Sequence, residues 1–406
     1  MTQASSPSDS AAAPAWGIET TAVHAGRADL NSLGVHALPI DLSTTNPLPD
    51  IASGGDSYEH LATGGVAGSH TSSNVYRRLW NPTVGRFEEA VASLEQDESA
   101  PGELQAVAFG TGMAAIAAVV LSRVQAGKPH IIGLRPLYGG TDHLLEHGLL
   151  GTDVTFTDVN GLAAAITDRT GLVVMESPAN PTLELLDISR VSAIAGDVPV
   201  MVDNTFATSM LQHPLSHGAA FSVHSATKYI GGHGDAMGGV AISTREHAEA
   251  LRRVRAITGG LLDPWSAYLL HRGLPTLPIR VQHQQEHARE VAAWLSQHPK
   301  VATTFYPELP GRDPEKVLGR QMLGGGAMVS VEVAGGFEAA SRLCSRVRLF
   351  IHAVSLGGVD SLIQHPAALT HRPVAAAAKP GQAVLRMSIG LESPKDLMAD
   401  LEQALG

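Results

Sequence analysis

Between about residues 85 and 245 the chain alternates short apolar runs with longer amphipathic or alanine-rich stretches. The apolar runs are QAVAFG (105–110), HIIGL (130–134), DVTFTDV (153–159), GLVVMES (171–177), VPVMVDN (198–204), FSVHS (221–225) and GGVAIS (238–243). Runs this short, and apolar through most of their length, predict strands buried on both faces. Between them, GRFEEAVASLEQ (85–96) sets Phe87, Ala90, Val91 and Leu94 on one side of a helix. TGMAAIAAVVLSRV (111–124) is alanine-rich, which favours helix and allows close packing. Strand and helix in alternation predict an α/β fold whose sheet is mostly parallel and covered on both faces. In such a sheet ligands gather beyond the carboxyl ends of the strands, which singles out the loops after Phe109, Glu176, Asp203 and Ser225.

A long helical stretch at 264–298, interrupted by Pro and Gly, leads into a second series of strands: VATTFYP (301–307), MVSVEV (328–333), VRLFIHAVS (347–355) and VLRMSIG (384–390). The expected organisation is a disordered Ser/Ala/Pro-rich tail (1–16), an arm with loops (17–70), a large domain (71–260) and a smaller C-terminal α/β domain (261–406). No internal repeat is present, and no apolar run reaches the roughly 18 residues needed to cross a bilayer. The net charge of −11 argues against a nucleic-acid or acidic-membrane surface, and the single Cys344 allows no intrachain disulfide. With no secretory signal at the N-terminus, a cytoplasmic protein is expected. Among the 19 histidines, His213 and His217 in HPLSH have a metal-like spacing. A proline follows the first and no Glu lies between, so no metal site is expected.

Three segments carry candidate chemistry. HSATKYIGGHGDAMGG (224–239) puts Lys228 just beyond an apolar strand, among hydroxyls and glycines. A solvated loop lysine is one reading. The other is a partly desolvated amine that loses its proton readily and attacks a carbonyl, with Ser225 and Thr227 donating to a phosphate. VMVDNTF (200–206) ends a buried strand on Asp203, which is either a helix cap or the acid partner of a pyridine nitrogen. GTGM (110–113) opens a helix whose free N–H groups suit a phosphate, a weak signal by itself. Lysine amine, carboxylate and phosphate cradle are together what pyridoxal 5'-phosphate requires.

Those segments, with YRRLWNPT (76–83), LYGGT (137–141), ESPANP (176–181), AVSLGG (353–358), QHPAALTH (364–371) and LRMSIGLES (385–393), resemble the Cys/Met-metabolism group of pyridoxal-phosphate enzymes. The group includes cystathionine γ-synthase, cystathionine γ-lyase and methionine γ-lyase. The resemblance runs from about Thr21 to the C-terminus. It implies an aspartate-aminotransferase-like (fold type I) large domain. It also implies that Lys228 carries the cofactor as a Schiff base and moves protons, and that Asp203, with Thr205 beside it, pairs with the ring nitrogen. By the same resemblance Gly112, Met113, Ser225 and Thr227 hold the phosphate and Asn180 lies near the ring hydroxyl. Tyr138 stacks on the ring and acts as acid or base. Arg386, helped by Ser355, binds the substrate carboxylate. Tyr76 and Arg78 are implied to reach the phosphate of a neighbouring subunit, in a homo-oligomer that is a dimer of dimers.

The resemblance divides over the reaction. Cystathionine enzymes typically carry Glu before the serine of SLG, whereas Val354 here resembles methionine γ-lyases and suits an apolar tail. Those lyases commonly carry Cys where Gly140 stands. The expected activity is γ-elimination on methionine or a near analogue. The alternatives are a γ-replacement transferase, a cystathionine γ-lyase, or a catalytically silent binding module. The 54–74 stretch is longer than is usual in the group, and substrate choice is least legible there.

Overall fold

Seven strands form the larger sheet in the order β1-β7-β6-β5-β4-β2-β3. They are β1 (Leu104–Phe109), β2 (His130–Leu134), β3 (Asp153–Thr157), β4 (Thr170–Glu176), β5 (Val200–Asp203), β6 (Phe221–His224) and β7 (Gly239–Thr244). The computed structural model describes residues 16–67 and 74–406. The expected tail thus lies, apart from Trp16, outside the described residues, as does the 68–73 part of the long stretch before Tyr76. Every pairing in the sheet is parallel except those of β7, which runs antiparallel to both β1 and β6. The strands from β1 to β6 therefore all end at one edge, and the expected mostly parallel α/β sheet is present.

The helices on this sheet begin where the sequence supplies caps. Asn81 accepts from the N–H groups of Thr83 and Val84 ahead of helix Pro82–Glu95, which buries Phe87, Ala90, Val91 and Leu94. Thr111 accepts from the Ala114 N–H and opens helix Gly112–Gln125 at the ligand edge of the sheet. Apolar side chains of β4 and β5 split between clusters on the two faces: Val174 and Met201 go to one, Val173 and Val202 to the other.

The helical stretch is divided as its Pro and Gly residues suggest, into Pro264–Gly273, a single 3₁₀ turn and Leu277–Leu295. Beyond it a five-stranded sheet has the order β10-β11-β12-β9-β8, with β8 (Val301–Phe305), β9 (Met328–Val333), β10 (Ile351–His352), β11 (Leu362–Gln364) and β12 (Val384–Ser388).

Two expectations need correction. The 17–70 segment, read as extended arm and loops, contains helices Ile18–His24, Leu30–Leu33 and Ile51–Ala62. The last is capped by Asp50, whose carboxylate accepts from the Ser53 N–H, and is held by Leu61 packing with Val75 and Leu79. The run 347–355, read as one strand, pairs only at Ile351 and His352. The Asp400 carboxylate takes the N–H groups of Arg348, Leu349 and Phe350, so those amides do not enter a ladder.

Candidate active site

The parallel register places the ends of β4 and β5 side by side, with Glu176 opposite Asp203. Beyond β6 the chain turns through Ser225–Thr227 to Lys228, and across the edge lies the start of helix Gly112–Gln125. Together with residues of the second sheet they enclose a cavity of about 290 Å³. It is lined by Lys228, Asp203, Thr205, Ser225, Thr227, Gly112 and Met113, and by Tyr138, Asn180, Val354, Ser355 and Arg386. All the residues assigned to one chain's site thus converge.

The Lys228 Nζ donates to Ser355 Oγ at 2.8 Å. Burial first, then the nearby Arg386 charge, lower its pKa to about 8, with Asp203 opposing. Ser355 has φ +100°, a left-handed value unusual for a residue with a side chain. That geometry lets its hydroxyl meet Lys228 while its carbonyl accepts from Arg386 Nη2 at 3.0 Å.

Asp203 is held by Thr205, whose N–H and hydroxyl both donate to Oδ1. The Thr205 hydroxyl also accepts from the Ser225 N–H at 2.8 Å, tying the carboxylate to the lysine turn. Burial raises the Asp203 pKa, and the Thr205 hydrogen bonds offset part of that rise. Thr227 Oγ1 accepts from the Gly238 N–H at 3.1 Å and reaches the Gly238 carbonyl at 3.2 Å, fixing the lysine loop on the start of β7.

Arg386 is buried and no carboxylate lies within ion-pair distance of it among the described residues. Its partners are neutral: Asn180 Oδ1 at 3.1 Å, the Ser355 carbonyl, and the Gln364 amide, whose oxygen turned inward accepts at 2.9 and 3.2 Å. Burial brings its pKa down to about 10. A buried guanidinium held only by neutral acceptors is a ready site for a carboxylate.

The cavity fits pyridoxal phosphate. It offers a reactive amine, an acid group at a strand end, and N–H groups of Gly112 and Met113 at a helix start. An added Cβ at Gly112 would come within 2.9 Å of the Ser225 Cβ, so the cradle admits no side chain there.

Tyr76 and Arg78 are not part of this cavity. Tyr76 is exposed, and the Arg78 guanidinium donates to the Ala256 carbonyl and lies 5.8 Å from the Tyr76 ring centroid. The cavity also includes Phe206, Met237 and Thr370, which sequence reading did not assign. In the sequence Glu176 shows only as a strand end, and Gln364 only as part of a motif. His213 is engaged with the Glu95 carbonyl, and among the described residues no three His, Cys, Asp or Glu side chains form a metal-holding group.

Comparison with known proteins identifies the family. The profile of the family described as Cys/Met metabolism PLP-dependent enzyme matches residues 19–406. The L-methionine gamma-lyase of Brevibacterium aurantiacum is 57% identical over 387 residues, covering 95% of this chain and 94% of that protein. The L-methionine gamma-lyase of Streptomyces avermitilis is 49% identical over 393 residues, covering 96% and 89%. Among solved structures, cystathionine gamma synthase of Xanthomonas oryzae pv. oryzae, in complex with aminoacrylate and cysteine, superposes with a TM-score of 0.85 at 33% identity, covering 96% of this chain and 98% of that one. The chain belongs to the pyridoxal-phosphate-dependent enzymes of Cys/Met metabolism, and its larger sheet is of fold type I.

Proposed function

We propose that this member of the family eliminates the γ-substituent of methionine or a near analogue, consuming one water and giving a thiol, 2-oxobutanoate and ammonia. The observation that carries the proposal is the pairing, in one cavity, of a buried Arg386 lacking a carboxylate partner with an apolar Val354 at the open side, 55% exposed. An α-amino acid anchored through its carboxylate at Arg386 thereby meets no charged group from position 354. The similarity to L-methionine gamma-lyases supports the same choice.

Pyridoxal phosphate, when bound, condenses with amines and draws electrons from the substrate Cα into its ring. Gly112, Met113, Ser225 and Thr227 would hold its phosphate, Asn180 would face its ring, and Asp203, fixed by Thr205, would keep its nitrogen protonated. Arg386 orients the substrate carboxylate. The Lys228 Nζ, whose lowered pKa enlarges its uncharged fraction, would accept the Cα proton. The Tyr138 hydroxyl transfers a proton near the departing sulfur.

Residues 71–260 form the cofactor-binding part and 261–406 supply Val354, Ser355 and Arg386. The enzyme works in the cytoplasm as a homo-oligomer, a dimer of dimers, with Tyr76 and Arg78 completing a neighbour's phosphate site. Their position outside their own chain's cavity supports this, as do the exposed apolar side chains of Leu33, Leu42, Leu48, Ile51 and Tyr58 in the arm. Mixing Arg78→Ala with Lys228→Ala should restore activity that each variant lacks; no recovery would refute the shared site.

One observation favours γ-replacement as a second reading. Gly140 lies so close to Tyr138 that an added Cβ would be 2.6 Å from the ring, and the Cys common at this place in methionine γ-lyases would displace that ring. The deciding assay offers methionine, cystathionine, homocysteine and O-acylhomoserine, with and without cysteine, and measures 2-oxobutanoate and new thioether. Oxoacid from methionine supports the lyase. Thioether from acylhomoserine plus thiol, with no oxoacid from methionine, overturns it.

A further inference from the structure

Glu176 ends β4 in register with Asp203 and is 4% exposed. One carboxylate oxygen accepts from the Tyr138 N–H, and the other accepts from the Asn180 N–H at 3.2 Å. Asn180 Oδ1 in turn accepts from Arg386 Nη1 at 3.1 Å. A single buried side chain therefore fixes two segments of backbone, one bearing the tyrosine and one bearing the amide that orients the guanidinium. The chain of contacts continues through the Ser355 carbonyl and hydroxyl to Lys228.

We propose that Glu176 is a positioning residue, a strap that sets Tyr138 and, through Asn180, the carboxylate-binding geometry of Arg386. Burial, reinforced by the Asp203 carboxylate beside it, holds the Glu176 acid well above the usual carboxylate range. The strap crosses between the two sheets: Tyr138 and Asn180 follow β2 and β4, whereas Arg386 lies on β12. Glutamine cannot substitute for it, because the amide nitrogen of Gln would face an N–H that needs an acceptor. Aspartate keeps the acid but lacks the reach to hold both segments.

This inference rests on the reading of Arg386 as the holder of the substrate carboxylate. The probes are L-alanine and L-alaninamide, which share an amine but differ in the carboxylate and have no γ-substituent. Their dissociation constants are measured from the visible band of the cofactor-loaded enzyme, and thermal melting is followed in parallel. In the unaltered enzyme alanine binds more tightly than its amide. In E176Q the alanine dissociation constant rises about tenfold, the order expected for one buried donor left unpaired, and the acid-to-amide preference shrinks by the same factor. E176D shows the same loss and carries the test if E176Q does not fold. N180A combined with E176Q costs no more than the larger single change, because both cut one route to Arg386. A preference unchanged in both Glu176 variants overturns the strap alone, even with a lowered melting temperature. Equal affinity for acid and amide in the unaltered enzyme overturns the Arg386 reading, and the strap falls with it.

Discussion

The depressed basicity of Lys228 gives the sharpest quantitative consequence. Its amine is partly withdrawn from water and shares the cavity with the Arg386 guanidinium, which together bring its pKa to about 8. At pH 7 about a tenth of such an amine is uncharged, against about 0.03% for a lysine at its ordinary value, a gain of about 300-fold in nucleophile. The assay is capture of pyridoxal phosphate by the cofactor-free protein, followed by stopped-flow absorbance from pH 6 to 11. Rates with a blocked lysine under the same conditions divide out the reagent's own ionisations. Below the midpoint the normalised rate climbs tenfold per pH unit, and it levels off above about pH 8 as the amine loses its proton. In Arg386→Leu the like charge is gone, so the midpoint moves up, yet stays below the ordinary value because burial is the larger cause. Borohydride trapping and peptide mapping confirm which lysine reacts. A rate still climbing tenfold per unit at pH 10, or a label on another residue, refutes the reasoning.

Two further outcomes follow from the cavity. Gly112→Ala places a Cβ within 2.9 Å of the Ser225 Cβ and narrows the phosphate cradle, so cofactor retention in equilibrium dialysis falls about tenfold or more; unchanged retention would remove Gly112 from the cradle. Tyr138→Phe keeps the ring and removes only the hydroxyl, so cofactor affinity is preserved while kcat drops by about 10²- to 10⁴-fold, and an unaltered kcat would show that the hydroxyl moves no proton.

The larger sheet was legible because burial on both faces leaves its strands almost wholly apolar. Against that background Asp203 and Lys228 stand out, each a charged group next to a run that has none. The antiparallel direction of β7 was not legible, since a buried strand has the same composition in either sense. Helix Ile51–Ala62 was hidden by Gly54 and Gly55, residues of poor helix propensity, and its support comes from an Asp50 cap and from Leu61 packing against residues distant in sequence. The run 347–355 has the composition of a strand, but its amides are taken by Asp400, some fifty positions onward.

The same distinction governs the site. Sequence shows which groups can react, because amines, carboxylates and glycine turns declare themselves by type and by place at a strand end. It does not show what aims them. Ser355 is a common residue in a loop, and only the fold gives it φ +100° and makes it touch Lys228 with its hydroxyl and Arg386 with its carbonyl. Glu176 could be read as a strand terminus, but its two N–H partners belong to separate backbone segments, and a backbone donor leaves no mark in the identity of its residue. Lys228 and Asp203 lie beyond adjacent parallel strands of one sheet, so topology alone brings them together. Arg386 comes from a strand of the other sheet and depends on side-chain hydrogen bonds to arrive at the same cavity. Loss of those bonds should therefore disturb recognition of the substrate carboxylate more than retention of the cofactor, whose proposed holders lie largely on elements of the first sheet.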